Sequence, residues 1–157
     1  MAEFSSEKFR KDLIKIVECI RDLCAARVPE NLGHYTGSQL RMITRIYELT
    51  RNTEDGIQLK TLAGVLRITP AATSEMVETL VKRGALERRV DPNDRRAMSL
   101  RLTTGLESVF KDAEKHLDGV LEEFFAGVSP EERNFSMDII SRLNKFFINL
   151  NQPENKL

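Results

Sequence analysis

The segment from Thr69 to Leu102 is the most heavily punctuated stretch of this 157-residue chain, and it leaves few folds open. Thr69 can accept a hydrogen bond from an orphan amide, and Pro70 follows at the first helical position, where its missing N–H costs nothing. Gly84 is the natural left-handed stop, so the spacing predicts a helix from Pro70 to Lys82 or Arg83. Met76, Val77 and Leu80 form its inner face, leaving Ala71, Ala72, Ser74, Glu75, Glu78 and Thr79 on exposed or marginal positions. Ala85–Val90 and Ala97–Leu102 then read as short strands around the turn Asp91-Pro92-Asn93-Asp94. In the second strand Met98, Leu100 and Leu102 point one way and Ser99 and Arg101 the other. A short helix near Leu59–Leu66, burying Leu62, Ala63 and Leu66, precedes the capped one. A helix pair running straight into a hairpin is the plan of a winged helix-turn-helix.

Both flanks are helical. Apolar residues from Phe9 to Leu23 recur at helical spacing, and Val28-Pro29 should end that run. Thr36-x-x-Gln39 offers a capping box for a second helix carrying Leu40, Ile43, Ile46, Tyr47 and Leu49. Asn52–Gly56 reads as a loop. Beyond the hairpin, Leu106 to Phe125 keeps three- and four-residue spacing until Gly127. Ser129-Pro130-Glu131-Glu132 caps a last amphipathic helix ending near Leu150. The fold class is mainly α (α+β). The last two helices hold six of the eight phenylalanines, and a partner subunit is the economical way to bury them.

Composition sets outer limits. With 41% hydrophobic and 31% charged residues, the chain can build a core, and it has no run of about 20 apolar residues to span a membrane. The first residues mix charge signs without an apolar secretory segment, and two cysteines make no disulfide framework, so a cytoplasmic protein is expected. Net charge is zero, with 24 basic residues against 24 acidic, which alone argues against a polyanion partner. The distribution of charge points the other way: between Ile57 and Leu102, nine basic residues face five acids. A basic middle between acidic ends suits a nucleic-acid footprint, although a solvated mixed surface has the same count. The second helix of the pair has the width to enter a major groove, and the hairpin can lay an arginine along the backbone or into a minor groove.

Several of these residues form a pattern. Leu62-Ala63, Leu66, Thr69-Pro70-Ala71 and Leu80 to Arg89 resemble the multiple-antibiotic-resistance regulator (MarR) family. So do Asp91-Pro92-Asn93-Asp94-Arg95-Arg96-Ala97 and Leu100-Arg101-Leu102-Thr103-Thr104-Gly105, and the resemblance runs over residues 36–106. It implies one domain across residues 1–157, with dimerisation helices at 7–28 and 104–150 around a winged helix-turn-helix core at 36–103. It further implies a homodimer that reads a pseudo-palindromic operator in double-stranded DNA. Such a protein regulates transcription, commonly as a repressor released by a small lipophilic or aromatic effector.

Carried onto this sequence, the resemblance makes Asp94 and Arg96 a wing-stabilising pair and Arg95 the candidate for the minor groove, with Arg96 as the alternative. Ala71, Ala72, Ser74, Glu75 and Thr79 fall on the recognition helix, and Arg88 and Arg89 on the wing strand, as DNA-binding candidates. Arg101, Lys60 and Arg67 are further candidates for phosphate contact. Glu75 departs from the family's usual basic or neutral polar residue. An effector pocket would use Tyr35, Met42 and Ile46, and a dimer interface Phe9, Leu13, Phe124, Phe135, Phe146 and Phe147.

Two alternatives stand beside this reading. The neutral total and the acids Glu75 and Glu78 suit a winged-helix protein-interaction module without DNA affinity. Redox control through Cys19 or Cys24 is the other, although a spacing of five residues turns them about 140° apart on a helix. The expected role of both cysteines is that of small buried hydrophobes. His34 and His116 alone make no zinc site, no nucleophile–base constellation is visible, and neither cofactor nor catalysis is expected.

Overall fold

The computed structural model describes residues 4–26, 35–90 and 98–150. The wing turn with Asp94, Arg95 and Arg96, the expected helix end at Val28-Pro29, and His34 lie outside the described residues. The elements are α1 (Ser6–Ala25), α2 (Gly37–Thr50), β1 (Ile57–Gln58), α3 (Leu59–Leu66) and α4 (Pro70–Lys82), followed by β2 (Leu86–Val90), β3 (Met98–Leu102), α5 (Thr104–Ala126) and α6 (Pro130–Leu150). The chain packs as two units, Met1–Lys115 and His116–Leu157.

Helix starts follow the capping residues. Thr36 Oγ1 accepts from the Gln39 amide at 3.2 Å, and Gln39 Oε1 accepts from the Thr36 amide at 3.0 Å. Ser129 and Glu132 repeat the exchange at α6, at 3.1 and 3.3 Å. The hydrogen bonds from Ser129 hold the Glu132 carboxyl below its usual range.

The core of the first unit joins α2, the helix pair and the sheet. Met42, Ile43 and Ile46 of α2 meet Leu62 and Leu66 of α3, Val77 and Leu80 of α4, Leu86, Leu100 and Leu102 of the sheet, and Leu106 of α5. Tyr47 closes it: its ring lies 4.8 Å from that of Phe110, and its hydroxyl donates to Glu114 Oε2 at 2.6 Å. Burial, and then the nearby Glu114 carboxylate, push the Tyr47 hydroxyl above its ordinary pKa. Arg51 Nη1 holds the other carboxylate oxygen of Glu114 at 2.5 Å, tying the end of α2 to α5.

Two features differ from the sequence expectation. The loop before α3 contains a two-residue strand, β1, which makes the sheet three-stranded and antiparallel in the order β1-β3-β2. Two residues are too few to show alternation. Strand β3 is also not half-buried: Ser99, Leu100, Arg101 and Leu102 are all buried, because β3 is central and its second face is covered as well. Met98 at the wing end is exposed instead.

Gly56 lets the chain reach β3. A Cβ there would lie 2.7 Å from Ser99 Oγ and 2.8 Å from the Leu100 carbonyl oxygen, and the latter is backbone that cannot swing aside. Gly56→Ala is therefore expected to cost about 1–3 kcal/mol, the usual penalty of overpacking, in a urea unfolding titration. A wild-type midpoint would show that β1 does not need this close approach.

Candidate nucleic-acid interface

The turn between α3 and α4 is built from backbone bonds and one cap. Arg67 adopts the left-handed conformation at φ 55°, and the Ile68 amide donates back to the Ala63 carbonyl at 3.2 Å, closing α3. Thr69 Oγ1 accepts from the Ala72 amide at 3.2 Å, opening α4 as its sequence requires. Thr73, which the sequence did not single out, is fully buried, with its hydroxyl donated to the Thr69 carbonyl at 2.9 Å. Thr73, Val77 and Leu80 form the inward face of α4, whereas Met76 is only half-buried. Ala71, Ala72, Glu75, Glu78 and Thr79 are exposed and Ser74 is half-buried, as the periodicity predicts. Thr79 donates its hydroxyl to the Glu75 carbonyl oxygen at 3.0 Å.

The wing hangs on the end of that helix. Gly84 takes φ 72°, and the Ala85 amide reaches back to the Leu80 carbonyl at 2.9 Å. Thr103 then locks the base of the hairpin: its amide donates to the Ala85 carbonyl at 3.0 Å and its hydroxyl to the Gly84 carbonyl at 2.8 Å. Arg88 pairs in register with Leu100, and Arg89 with Ser99. Because strand side chains alternate, the two arginines lie on opposite faces of the sheet. Arg88 is on the side of α4, with its Nη2 3.8 Å from Glu78 Oε1. Arg89 turns the other way, donates from Nε to Glu87 Oε1 at 2.6 Å, and lines an open cleft with Arg51, Arg101, Glu107 and Lys111.

Arg101 corrects one sequence expectation. It is a buried strut, 6% exposed, and not a phosphate contact. Its Nη1 donates to the carbonyls of Thr53 at 2.6 Å and Asp55 at 3.2 Å, and its Nη2 to that of Thr50 at 3.3 Å. Glu107 Oε2 lies 3.6 Å from Nη2, and Lys111 holds the other Glu107 oxygen at 2.7 Å. The Lys111 hydrogen bond, reinforced by the charges of Lys111 and Arg101, outweighs partial burial and keeps the Glu107 carboxyl below its usual range. Sequence alternation put Arg101 on the polar face of β3, but that face is covered by the carbonyl-rich end of α2. Lys60 and Arg67 are exposed beside the helix pair.

The remaining candidates separate by location. Met42 and Ile46 belong to the core itself, each with no exposed surface. Tyr35 is half-buried under the Arg83 guanidinium, 4.2 Å from its ring centre, and Arg83 also donates to Gln39 Oε1 at 3.1 Å. Phe9, Phe124, Phe135, Phe146 and Phe147 are exposed and Leu13 is half-buried. Cys19 is exposed and Cys24 half-buried, so neither is the fully buried hydrophobe expected; among the described residues, none of α1 belongs to the buried core cluster.

A helix pair whose second member is framed by a three-stranded wing defines a winged helix-turn-helix protein. The MarR family model matches residues 36–98 of this chain, the stretch from α2 into β3. The uncharacterized HTH-type transcriptional regulator YdgJ of Bacillus subtilis (strain 168) is 26% identical over 113 residues, covering 72% of this chain. The chain matches just under two thirds of that relative's length, 66%. Streptococcus pneumoniae FabT, solved in complex with DNA, shares the fold with a TM-score of 0.69 at 17% identity, covering 94% of this chain and 100% of FabT. Staphylococcus aureus MepR bound to ethidium bromide gives a TM-score of 0.62 at 18% identity, covering 94% and 98%.

Arg101→Ala would strand Glu107 with one cation and free three backbone carbonyls, and is expected to cost about 3 kcal/mol in urea unfolding. A loss below about 0.5 kcal/mol would contradict the strut. Glu107 stabilises the fold above the ordinary carboxylate range, and this contribution is lost as pH falls through its lowered pKa. Glu107→Gln should therefore flatten the acid side of the stability profile, and an unchanged profile would count against the pairing.

Proposed function

We propose that this chain is a dimeric, sequence-specific DNA-binding transcription regulator, a repressor released by a small-molecule effector. The observation that carries the reading is the surface shared by α4 and the wing. Ala71 and Ala72 keep the exposed start of α4 slim, and Arg88 stands beside Glu78 further along the helix. A helix so trimmed fits a major groove about 12 Å wide, where small side chains approach thymine methyls and Ser74 can donate to a base or phosphate. Thr79 lies further along the same face. Arg88 and Arg89 would meet phosphates, and Arg95 or Arg96, stiffened by Asp94, would reach the minor groove from the wing tip. The MarR family match over residues 36–98 and the FabT complex with DNA support the same partner.

Two finer elements rest on separate observations. Phe124, Phe135 and Phe146 are 66%, 67% and 59% exposed, an apolar load typical of surfaces that pair with another chain. Phe147 in the same unit, and Phe9 and Leu13 in the first unit, are further candidates for such pairing, with a second copy of the chain as the occupant. MepR with ethidium bromide supports an aromatic effector, for which Tyr35, Met42 and Ile46 are the candidate contacts; Met42 and Ile46 would have to be uncovered by core movement. Glu75 and the zero net charge favour the competing reading, a winged-helix module that binds protein.

Fluorescence anisotropy against a pool of random duplexes separates the two readings. Affinity should fall about a thousandfold between 50 and 200 mM salt for a protein that contacts six or more phosphates. Arg95→Ala should weaken binding to all sequences alike, and unchanged binding would remove it from the interface. No retention at low salt would favour a protein partner. Phe146→Asp changes an exposed position and should give a folded monomer by light scattering; a folded dimer would contradict the interface.

A further inference from the structure

Resting on the DNA-binding reading, we propose that Glu75 is a specificity-determining residue that selects a cytosine in each operator half-site. The polar groups on the outward face of α4 are mostly committed already. Glu78 is drawn to Arg88 at 3.8 Å, and the Thr79 hydroxyl proton is given to the Glu75 carbonyl oxygen at 3.0 Å. The Glu75 carboxylate is exposed, and among the described residues it has no hydrogen-bond or ion-pair partner.

Helix geometry aims this carboxylate at the site. A helical side chain leans toward the N-terminus and covers the preceding turn, which here is Ala71 and Ala72. Both are too short to compete with it, so the acidic group stands foremost at the end of α4 that would enter the groove. A carboxylate near phosphates is repelled unless a donor meets it. The major groove offers donors only at cytosine N4 and adenine N6, whereas guanine and thymine present acceptors at their edges. Adenine N7, an acceptor next to N6, repels the second carboxylate oxygen, which leaves cytosine as the matching base. The same charge weakens binding to every sequence that lacks the donor, so discrimination comes from rejection as much as from attraction.

The test is selection of bound duplexes from a random pool by wild type, Glu75→Gln and Glu75→Ala, with anisotropy on the recovered sites. The position is exposed and helical, and both replacements are good helix formers, so the variants should keep the fold. The wild-type site is expected to show one C·G position per half-site, where substitution costs about tenfold or more in affinity. Glu75→Gln should move that preference to A·T, since a carboxamide pairs with adenine N6 and N7. Glu75→Ala should erase the preference there alone and raise affinity for unrelated duplexes. If all three proteins recover the same site with the same preferences, the inference is overturned while the DNA-binding reading stands. Failure of wild type to retain any duplex overturns both.

Discussion

Strand β3 is buried on both faces, and the winged unit depends on that double burial. Leu100 and Leu102 enter the core, while Ser99 and Arg101 face the other way into equally covered ground. A guanidinium withdrawn from water is tolerable only if its protons find acceptors. Arg101 finds them for Nη1 and Nη2 in the carbonyls of Thr50, Thr53 and Asp55 and in Glu107, and only its buried Nε is left without one among the described residues. One side chain thus ties the end of α2, the approach to β1 and the first turns of α5 to the middle of the sheet. Thr103, one residue past the strand, binds the same assembly to the end of α4 through Gly84 and Ala85.

That anchoring leaves α4 free to face outward. Its inner residues are held against a sheet that cannot slide, because a one-residue slip of β3 would exchange Leu100 for Arg101 in the core. The outer face then follows from helical geometry. Charge on this face is arranged at short range: Glu78 is offset by Arg88, and Arg89 by Glu87 on the opposite side of the sheet. A net charge of zero therefore says little about what α4 meets. The local pairing matters, and Glu75 stands outside it.

Much of the fold was legible because it is written in local chemistry. Thr36 with Gln39, Thr69 before Pro70, Gly84, and Ser129 with Glu132 each act within one turn, and each helix begins or ends where its cap requires. Long-range facts were less visible. Nothing in Ile57-Gln58 distinguishes a strand from the approach to a helix, since its partner lies more than forty residues away in Leu100 and Ser99. Alternation in β3 correctly separated Arg101 from Leu100, but a polar face reads as a wet one until something covers it. The α4 face was read well except at Met76, which is half-buried where an inner residue was expected, and at Thr73, because a buried threonine that bonds back to its own helix behaves as an apolar residue. Phe124, Phe135, Phe146 and Phe147, expected at an interface from the sequence, are exposed.

In the proposed function, two copies of this chain present two α4 helices to one duplex. Native mass spectrometry of the protein with an inverted-repeat duplex recovered by selection tests this arrangement most directly. Half-sites one helical turn apart, about 10 base pairs, would place the two helices on the same side of the DNA. The expected result is a free species of twice the 17.9 kDa chain mass, and a complex of two chains on one duplex. A single 17.9 kDa chain on the duplex, or a dimer that leaves the duplex unbound, would contradict it.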